Sequence, residues 1–318
     1  MTRAGQDEAR TRPLAGVLWM LASGLCFVGV TATVKAVAGG MPAAQSAFLR
    51  FVLGLVFVLP VLRVLVRDWP GPRDLGLFAL RGALHTGAVI CWFYAMTRIP
   101  LAEVTAMGYL TPVFTALGAA LVLGERLRLR RLAAIAAAVA GALIVLRPGV
   151  REISDGHLAM VVTTACFALS YLLTKPLAGR HSAAVVVAML SITVTVGLAP
   201  LAAAVWVPVQ PGQVAGLFVV ACFATAGHYA MTRAFAAALI TVTQPVTALQ
   251  LVWSVLIGSL FFHESVDIFV IVGGALIVSA VVFIALREAT LHRAAQRRHP
   301  VPAPEAPPLN RCAPWGRR

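Results

Sequence analysis

The chain has 318 residues, of which 60% are hydrophobic and 12% are charged, with a mean hydropathy of +0.88 and a formal net charge of +14. A soluble core of this size cannot bury so much apolar surface, so the composition excludes an ordinary soluble protein and indicates a bilayer protein. The charge does not indicate nucleic-acid binding, because the basic residues stand at the edges of apolar segments and in the C-terminal tail, without a contiguous patch.

Ten apolar segments follow one another along the chain with little sequence between them. A helix needs about 20 mostly apolar residues to cross the hydrocarbon core, and these segments lack the polar-apolar alternation of barrel strands. We predict an all-α integral membrane protein with ten transmembrane helices. A cytoplasmic N-terminus, 1–13, precedes them, and a Pro- and Arg-rich tail, 287–318, is predicted to be disordered. The predicted spans are 14–37, 43–66, 75–97, 101–123, 130–147, 156–176, 183–206, 213–235, 239–262 and 267–286.

The second half of the chain repeats the first. The pentapeptide YAMTR occurs at 94–98 and again at 229–233, and GALIV occurs at 141–145 and at 274–278. A constant offset of 140 residues aligns Lys35 with Lys175, and a similar offset aligns Glu125 with Glu264. Drifting offsets are typical of two copies with loop insertions. We therefore expect two five-helix repeats, at 14–147 and 156–286.

An odd number of helices per repeat makes the two copies cross the membrane in opposite directions, so the repeats are expected to be inverted. The distribution of positive charge agrees, because cytoplasmic loops accumulate Lys and Arg. With a cytoplasmic N-terminus, twenty of the 26 Lys and Arg residues fall on the cytoplasmic side and four fall on the other. We expect an inner-membrane protein with both termini in the cytoplasm.

The sequence carries no recognisable catalytic or cofactor motif. Its five cysteines are scattered, without a CxxC pair or a nearby His at ligand spacing, so neither a metal site nor a disulfide framework is expected. No GxxxxGK[ST], HExxH or GxSxG stretch is present. We predict no catalytic residues, no metal and no cofactor.

Polar residues recur at helical spacing in spans 3, 4, 8 and 9. Such stripes line a cavity or mediate close helix packing, and four stripes in equivalent helices of the two repeats favour the cavity. Arg50 and Arg81 also lie within about two turns of a span end, from which arginine can snorkel to the interface. The candidate substrate-binding residues are Arg81, His85, Trp92, Thr111, Thr115, Thr225, His228, Thr243, Thr247, Gln250 and Ser254.

Three titratable side chains inside the spans are candidates for proton coupling: Glu103, His85 and His228. Two alternatives stay open, because Glu103 stands in a first helical turn, where a carboxylate suits the helix dipole, and buried histidines often serve packing. Pro112 and Pro245 interrupt spans 4 and 9 and are hinge candidates, because proline frees backbone carbonyls.

The stretch WFYAMTRIPLAEVTAMGYLTPVFTALGAALVLGERLRLRR, followed by GALIVLRPG, resembles the EamA-type domain of the bacterial drug/metabolite transporter superfamily. The later stretches HYAMTRAF, TQPVTALQLVWSVLIGSLFFHE and GGALIV resemble a second such domain. The resemblance implies a ten-helix secondary transporter with inverted repeats, cytoplasmic termini and a central cavity formed mainly by helices 1, 3, 4, 6, 8 and 9. Small multidrug relatives use a Glu in their first helix to exchange cations for protons, but 14–34 contains no ionisable residue.

Together these features lead us to expect alternating-access transport of a small polar or amphipathic metabolite. Two Arg and two His against one Glu in the spans favour an anionic or zwitterionic substrate. The expected partners are that metabolite and the lipid bilayer, and a homodimer is an open alternative. A membrane-embedded enzyme and a non-transporting accessory subunit are the alternative functions.

Overall fold

The computed structural model describes residues 13–67, 69–123, 129–150, 152–178, 180–237 and 246–298. Within these ranges the chain makes ten helical passes, α1 to α10, joined by short connections. Two passes are interrupted, since α2 contains a 3₁₀ stretch and α4 has two segments. The passes are α1 Pro13–Val37, α2 Ala43–Gly54 with 3₁₀ Leu55–Val61 and Leu62–Arg67, α3 Pro72–Met96, α4 Leu101–Gly108 and Thr111–Leu123, α5 Leu129–Leu146, α6 Asp155–Ala178, α7 Ala183–Ala204, α8 Pro211–Ala237, α9 Leu249–Phe262 and α10 Ile268–Arg298.

The described helices form a lipid-facing bundle. Seven passes are long and apolar enough to cross a membrane, whereas α4 is broken and the apolar parts of α5 and α9 are shorter, at Leu132–Leu146 and Leu249–Phe262. Large apolar side chains remain on the outer surface, such as Leu129 at 82% and Phe261 at 74% exposure. Exposed apolar surface on this scale requires lipid rather than water around it. The predicted all-α membrane class is therefore confirmed.

Proline lies at both interruptions. Pro60 stands within the 3₁₀ stretch of α2, where its ring clashes with the carbonyl four residues earlier and prevents regular α-helix. In α4 the first segment ends at Gly108, and Pro112 is the second residue of the second segment, where a missing N–H is tolerated. The hinge role of Pro112 stays a prediction, and Pro245 lies outside the described residues.

The last helix is longer than predicted. It continues to Arg298 instead of ending at 286, so the first part of the predicted disordered tail is helical. The physical reason is local: the stretch LREATLHRAAQRR is rich in strong helix formers and contains no proline before Pro300. Residues 299–318 lie outside the described ranges.

Contacts at the helix termini show that neighbouring passes run in alternating directions. At one end of the bundle Lys35, near the end of α1, pairs with Glu264, just after α9. We call this the Glu264 end. At the opposite end, the carboxylate of Asp74 in the first turn of α3 accepts hydrogen bonds from Arg180 and His181, between α6 and α7. We call this the Asp74 end.

Small residues bring the principal helix pairs together. The most extensive contacts are those of α1 with α8, α3 with α6 and α5 with α10. A Cβ added at Gly216 of α8 would lie 2.5 Å from the side chain of Val37 in α1. Ser23 Oγ of α1 donates to the carbonyl of Gly227 in α8 at 2.9 Å. Because lipid tails compete with apolar side chains, such close backbone approach and interhelical hydrogen bonds hold membrane helices together.

The α5–α10 pair forms a separate apolar cluster that includes Ile135 and Ile277. The two backbones touch, since a Cβ added at Gly141 would lie 2.7 Å from the carbonyl oxygen of Gly273. Beyond each other, these helices pack mainly on α4. This arrangement agrees with the almost wholly apolar sequence of both helices.

Gly141→Ala is expected to lower the free energy of unfolding by about 1–3 kcal/mol, because the new methyl group meets backbone that cannot rotate away. The measurement is the melting temperature of the purified protein in detergent. Gly76→Ala on α3 is the matched control, since a Cβ there meets nothing within 4 Å. Equal melting temperatures for the two variants would contradict the close α5–α10 contact.

Candidate functional site

Four basic side chains form a group around the His85 ring. They are Arg50 of α2, Arg81 and His85 of α3, and His228 of α8, and we call them the cationic cluster. The charges of Arg50, Arg81 and His228 act on the His85 ring, and that of Arg50 also acts on His228. The cluster thus combines side chains from both halves of the sequence. Arg50 is half-buried and belongs to this group, although its position near a span end also favours snorkelling.

Arg81 and His85 are held by different neighbouring helices. Arg81 is 5% exposed, and its Nη1 donates to the carbonyl of Val186 in α7 at 3.0 Å. Its Nε is buried and has no acceptor in the structure. His85 Nδ1 lies 3.3 Å from the Oγ of Ser170, a buried residue of α6. The guanidinium is therefore anchored at one nitrogen and has hydrogen-bonding capacity left over.

An aromatic surface adjoins the cationic cluster. It consists of Trp92 from α3 with Phe167 and Tyr171 from α6, and we call it the aromatic wall. The Phe167 and Tyr171 rings are nearly parallel, with centroids 6.1 Å apart, and Trp92 meets Phe167 edge-on at 6.1 Å. The His85 ring lies 4.8 Å from Phe167, so the wall and the cluster are continuous. Sequence predicted Trp92 but missed the two α6 residues.

A further group of side chains comes from α1, α8 and α9. His228 and Thr225 of α8 are exposed side chains, and the His228 ring meets Phe27 of α1 at a centroid distance of 5.1 Å. Gln250 of α9 is half-buried, and a Cβ added at Gly24 of α1 would lie 3.8 Å from its Cβ.

Side chains of α4 that the sequence did not single out, Thr105 and Tyr109, meet the predicted polar stripe of α9. Ser254, which is fully buried, has its Oγ 2.6 Å from Thr105 Oγ1. The hydroxyl of Tyr109 donates to the carbonyl of Thr247 at 2.7 Å. In this conformation Ser254 therefore fills a helix contact instead of facing an open space.

The predicted substrate-binding residues thus divide into groups. The structure brings Arg81, His85, Trp92 and His228 into the cationic cluster and aromatic wall. Other predicted hydroxyls bond to carbonyls of their own helix, as Thr115 does to Thr111 at 2.8 Å and Thr225 to Ala221 at 2.9 Å. Thr243 lies outside the described residues.

A network of ionic and backbone contacts lies at the Glu264 end. Lys35 Nζ is 2.6 Å from Glu264 Oε1 and donates to the carbonyl of Ile99 at 2.9 Å. The other carboxylate oxygen, Oε2, accepts the backbone N–H of Leu101 at 2.9 Å. Glu264 therefore stabilises the first turn of α4 from a distant helix. The repeat pattern in the sequence aligns Glu264 with Glu125 but predicts no ion-pair partner for Glu264.

Glu103 pairs with a residue that sequence reasoning missed. Its Oε2 lies 2.5 Å from Nε2 of His157, at the start of α6, and both side chains are 4% exposed. The N–H of Ser154 donates to His157 Nδ1 at 3.1 Å, so that nitrogen is an acceptor. His157 therefore carries its proton on Nε2 and donates it to the Glu103 carboxylate. The only sequence signal was a histidine in a first helical turn of the second repeat.

Comparison with known proteins identifies relatives along most of the chain. The profile of the EamA-like transporter family matches residues 14–147. A riboflavin transporter of Rhizobium johnstonii is 32% identical, over 87% of this chain and 93% of its own. The Pseudomonas aeruginosa pseudopaline exporter CntI is 26% identical, over 84% of this chain and 94% of its own. An S-adenosylmethionine uptake transporter of Rickettsia prowazekii is 23% identical, over 89% and 96% respectively.

A solved crystal structure has a similar fold. It matches 87% of this chain and 98% of its own length with a TM-score of 0.60, at 19% sequence identity. At that identity the match supports the shared helical architecture alone.

Lys35→Met and Glu264→Gln are each expected to lower the free energy of unfolding by about 2 kcal/mol, because each leaves its partly buried partner without a charged contact. The double variant should lose less than the sum of the two, as a double-mutant cycle in detergent would measure. Arg180→Gln is the control, since the Arg180 side chain is 42% exposed and its pair with Asp74 should contribute about 0–1 kcal/mol. Additive losses for Lys35 and Glu264 would argue against coupling.

Proposed function

This chain belongs to the EamA-type family of drug/metabolite transporters and is a multi-pass membrane transporter of small metabolites, and on that premise we propose that it works by alternating access. In this mechanism two inverted five-helix repeats, 14–147 and 156–286, rock about a shared site that opens to one side of the membrane at a time. The observation that carries the proposal is the cationic cluster, which draws Arg50, Arg81 and His85 from one repeat and His228 from the other.

The inverted relation is supported by the pattern of helix contacts. Suppose that each helix is replaced by its counterpart in the other repeat, five helices further along. The α1–α8 pair then becomes α6–α3, and the α4–α6 pair becomes α9–α1. All four of these pairs are in contact. The same exchange maps the α5–α10 and α2–α7 pairs onto themselves. A two-fold axis between the repeats would produce this pattern of contacts, which supports the proposal. As inverted copies require, α1 ends at the Glu264 end of the bundle, whereas its counterpart α6 begins there.

We assign the Asp74 end to the cytoplasm of a bacterial inner-membrane protein. Both terminal helices reach that end, because α1 finishes and α10 starts at the Glu264 end. The loops and tails assigned to the Asp74 end carry most of the Lys and Arg residues, as cytoplasmic segments do.

The contacts at the Glu264 end act as a gate in this proposal. Lys35–Glu264 joins α1 to α9, Glu103–His157 joins α4 to α6, and the first pair also ties α9 to the start of α4 through Leu101. Each contact links elements of different repeats. Rocking of one repeat against the other therefore has to break them, and their re-formation closes that end.

We propose Glu103 as the coupling carboxylate, with His157 as its proton-exchange partner. Their short hydrogen bond offers a proton a path between carboxylate and imidazole, and both lie at the proposed gate. Protonation of the pair would change the charge balance at the contact between α4 and α6. His85 and His228 remain further coupling candidates within the cationic cluster, and transport driven by the substrate gradient alone is the alternative to coupling.

The substrate that fits best is a small planar amphipathic metabolite. The aromatic wall provides flat apolar surface beside cationic and hydroxyl groups, and π-faces stack on such walls. Flavins have this shape, and the most similar relative named above is a riboflavin transporter. We propose riboflavin-like compounds as the first substrates to test, in both directions of transport.

Purified protein in liposomes is expected to move at least one member of a labelled panel containing riboflavin, S-adenosylmethionine and amino acids. Trp92→Ala and Gln250→Ala should reduce that flux about tenfold, since each removes a side chain that we place in the substrate site. Trp69→Ala is the control, because Trp69 is 59% exposed in a connection. Flux by both variants at the parent rate would contradict the placement of the site, and turnover in detergent without vesicles would indicate an enzyme.

Glu103→Gln is expected to abolish the response of flux to an imposed pH gradient, because the amide cannot carry the proton. The measurement is initial uptake into liposomes with and without the gradient. Glu152→Gln, an exposed residue in the connection before α6, serves as the control and should respond like the parent. A Glu103→Gln variant that keeps the parental response would exclude Glu103 as the coupling group.

A further inference from the structure

We propose that the transported molecule carries an oxyanion on its planar framework, and that Arg50 and Arg81 neutralise this charge. The inference rests on the proposed transport function and narrows its substrate class. It concerns the charge of the cargo, which neither the aromatic wall nor the relatives determine.

The first observation is that both arginines lack a counter-ion. Among the described contacts, Arg81 has one hydrogen bond, to a backbone carbonyl, and its Nε is buried without an acceptor. Arg50 has its guanidinium 4.1 Å from the centre of the neighbouring Phe51 ring, and no carboxylate pairs with it in the described ranges. Both permanently charged side chains therefore lie within electrostatic reach of His85, and no described carboxylate pairs with either of them.

The second observation is where the acidic side chains are. Among the acids whose side chains the structure describes, those packed within the bundle are each committed to another partner, and Glu152 and Asp155 stand exposed in and beside the connection before α6. The committed pairs are Asp74 with Arg180 and His181, Glu103 with His157, Glu264 with Lys35, and Asp267 with Arg147. No described acid is available to neutralise the cationic cluster.

Interior arginines without a described counter-ion are informative about the charge of the ligand. A charge inside a membrane bundle is costly unless it is paired or faces a cavity, and such residues mark substrate pathways. Guanidinium groups bind carboxylates and phosphates through paired N–H donors, which gives stronger hydrogen bonds than neutral partners do. An oxyanion would satisfy the unused donors of Arg81, whereas a neutral ligand would leave the charge unpaired and further shielded from water.

The position of Arg81 relative to the aromatic wall sets the shape of the molecule. Tyr171 belongs to the wall and lies within electrostatic reach of Arg81. His85, one helical turn further along α3, touches Phe167, and one turn advances about 5–6 Å along the helix axis. The cargo is therefore a planar ring joined to its anionic group by a short spacer.

Two matched ligand pairs test the charge requirement. Riboflavin and riboflavin 5′-phosphate share one ring system and differ by a phosphate, while 3-phenylpropionate and 3-phenylpropionamide differ by a carboxylate. The readouts are the thermal shift in detergent and competition for uptake into liposomes. We expect the anionic member of at least one pair to bind the parent about tenfold more tightly or better, and the pair that responds distinguishes phosphate from carboxylate.

Arg50→Gln and Arg81→Gln are expected to reduce that preference to near parity. Their ligand-free melting temperatures should stay the same or rise, because each substitution removes an unpaired interior charge, whereas a purely structural arginine would give a fall. Arg81→Lys should retain part of the preference. Arg63→Gln is the control, since Arg63 is exposed and should behave like the parent.

Failure of this inference is distinguishable from failure of the transport function. Equal or tighter binding of both neutral members, or variants that keep the anionic preference, would overturn the oxyanion assignment while leaving uptake intact. A parent protein that moves no member of the wider metabolite panel would overturn transport itself.

Discussion

The structure depends on one constraint: inside lipid, each backbone N–H and carbonyl needs a partner within the protein. Helices meet that need locally, which is why the described residues form ten helical passes. Departures from regular helix lie where the chain can tolerate them, at Pro60 in α2 and between Gly108 and Thr111 in α4. The α4 break faces α9, where the Tyr109 hydroxyl binds the carbonyl of Thr247.

With the backbone satisfied, side chains decide how the helices pair. Glycines permit close approach of the helices: Gly216 of α8 accommodates the Val37 side chain of α1, and Gly141 and Gly273 let the α5 and α10 backbones touch. Apolar bulk alone would not select these partners, because lipid offers the same apolar surroundings. The tight crossings and the buried hydroxyl contact of Thr105 with Ser254 give the bundle a defined register.

Charge is distributed unevenly along the membrane normal. At both ends of the bundle the carboxylates packed against the helices are matched with basic side chains, as in the Lys35–Glu264 and Asp74–Arg180 pairs. Between the ends, Arg50 and Arg81 have no such match. Ion pairs at the ends of the bundle suit surfaces that close and reopen, because water can solvate both charged side chains when they separate. Unpaired arginines in the interior suit a binding site whose positive charge is neutralised by the transported molecule.

Sequence determined the membrane class and the helical passes, because these follow from local composition, and its motifs indicated the family; it also proposed Arg81, His85 and His228 as interior polar residues. The predicted span 75–97, for example, corresponds to α3 at Pro72–Met96. Tertiary structure alone decided that Glu103 meets His157, that Glu264 supports α4, and that Ser254 is buried against Thr105. These partners come from helices far apart in sequence, and their meeting depends on how each helix is rotated and tilted against its neighbours.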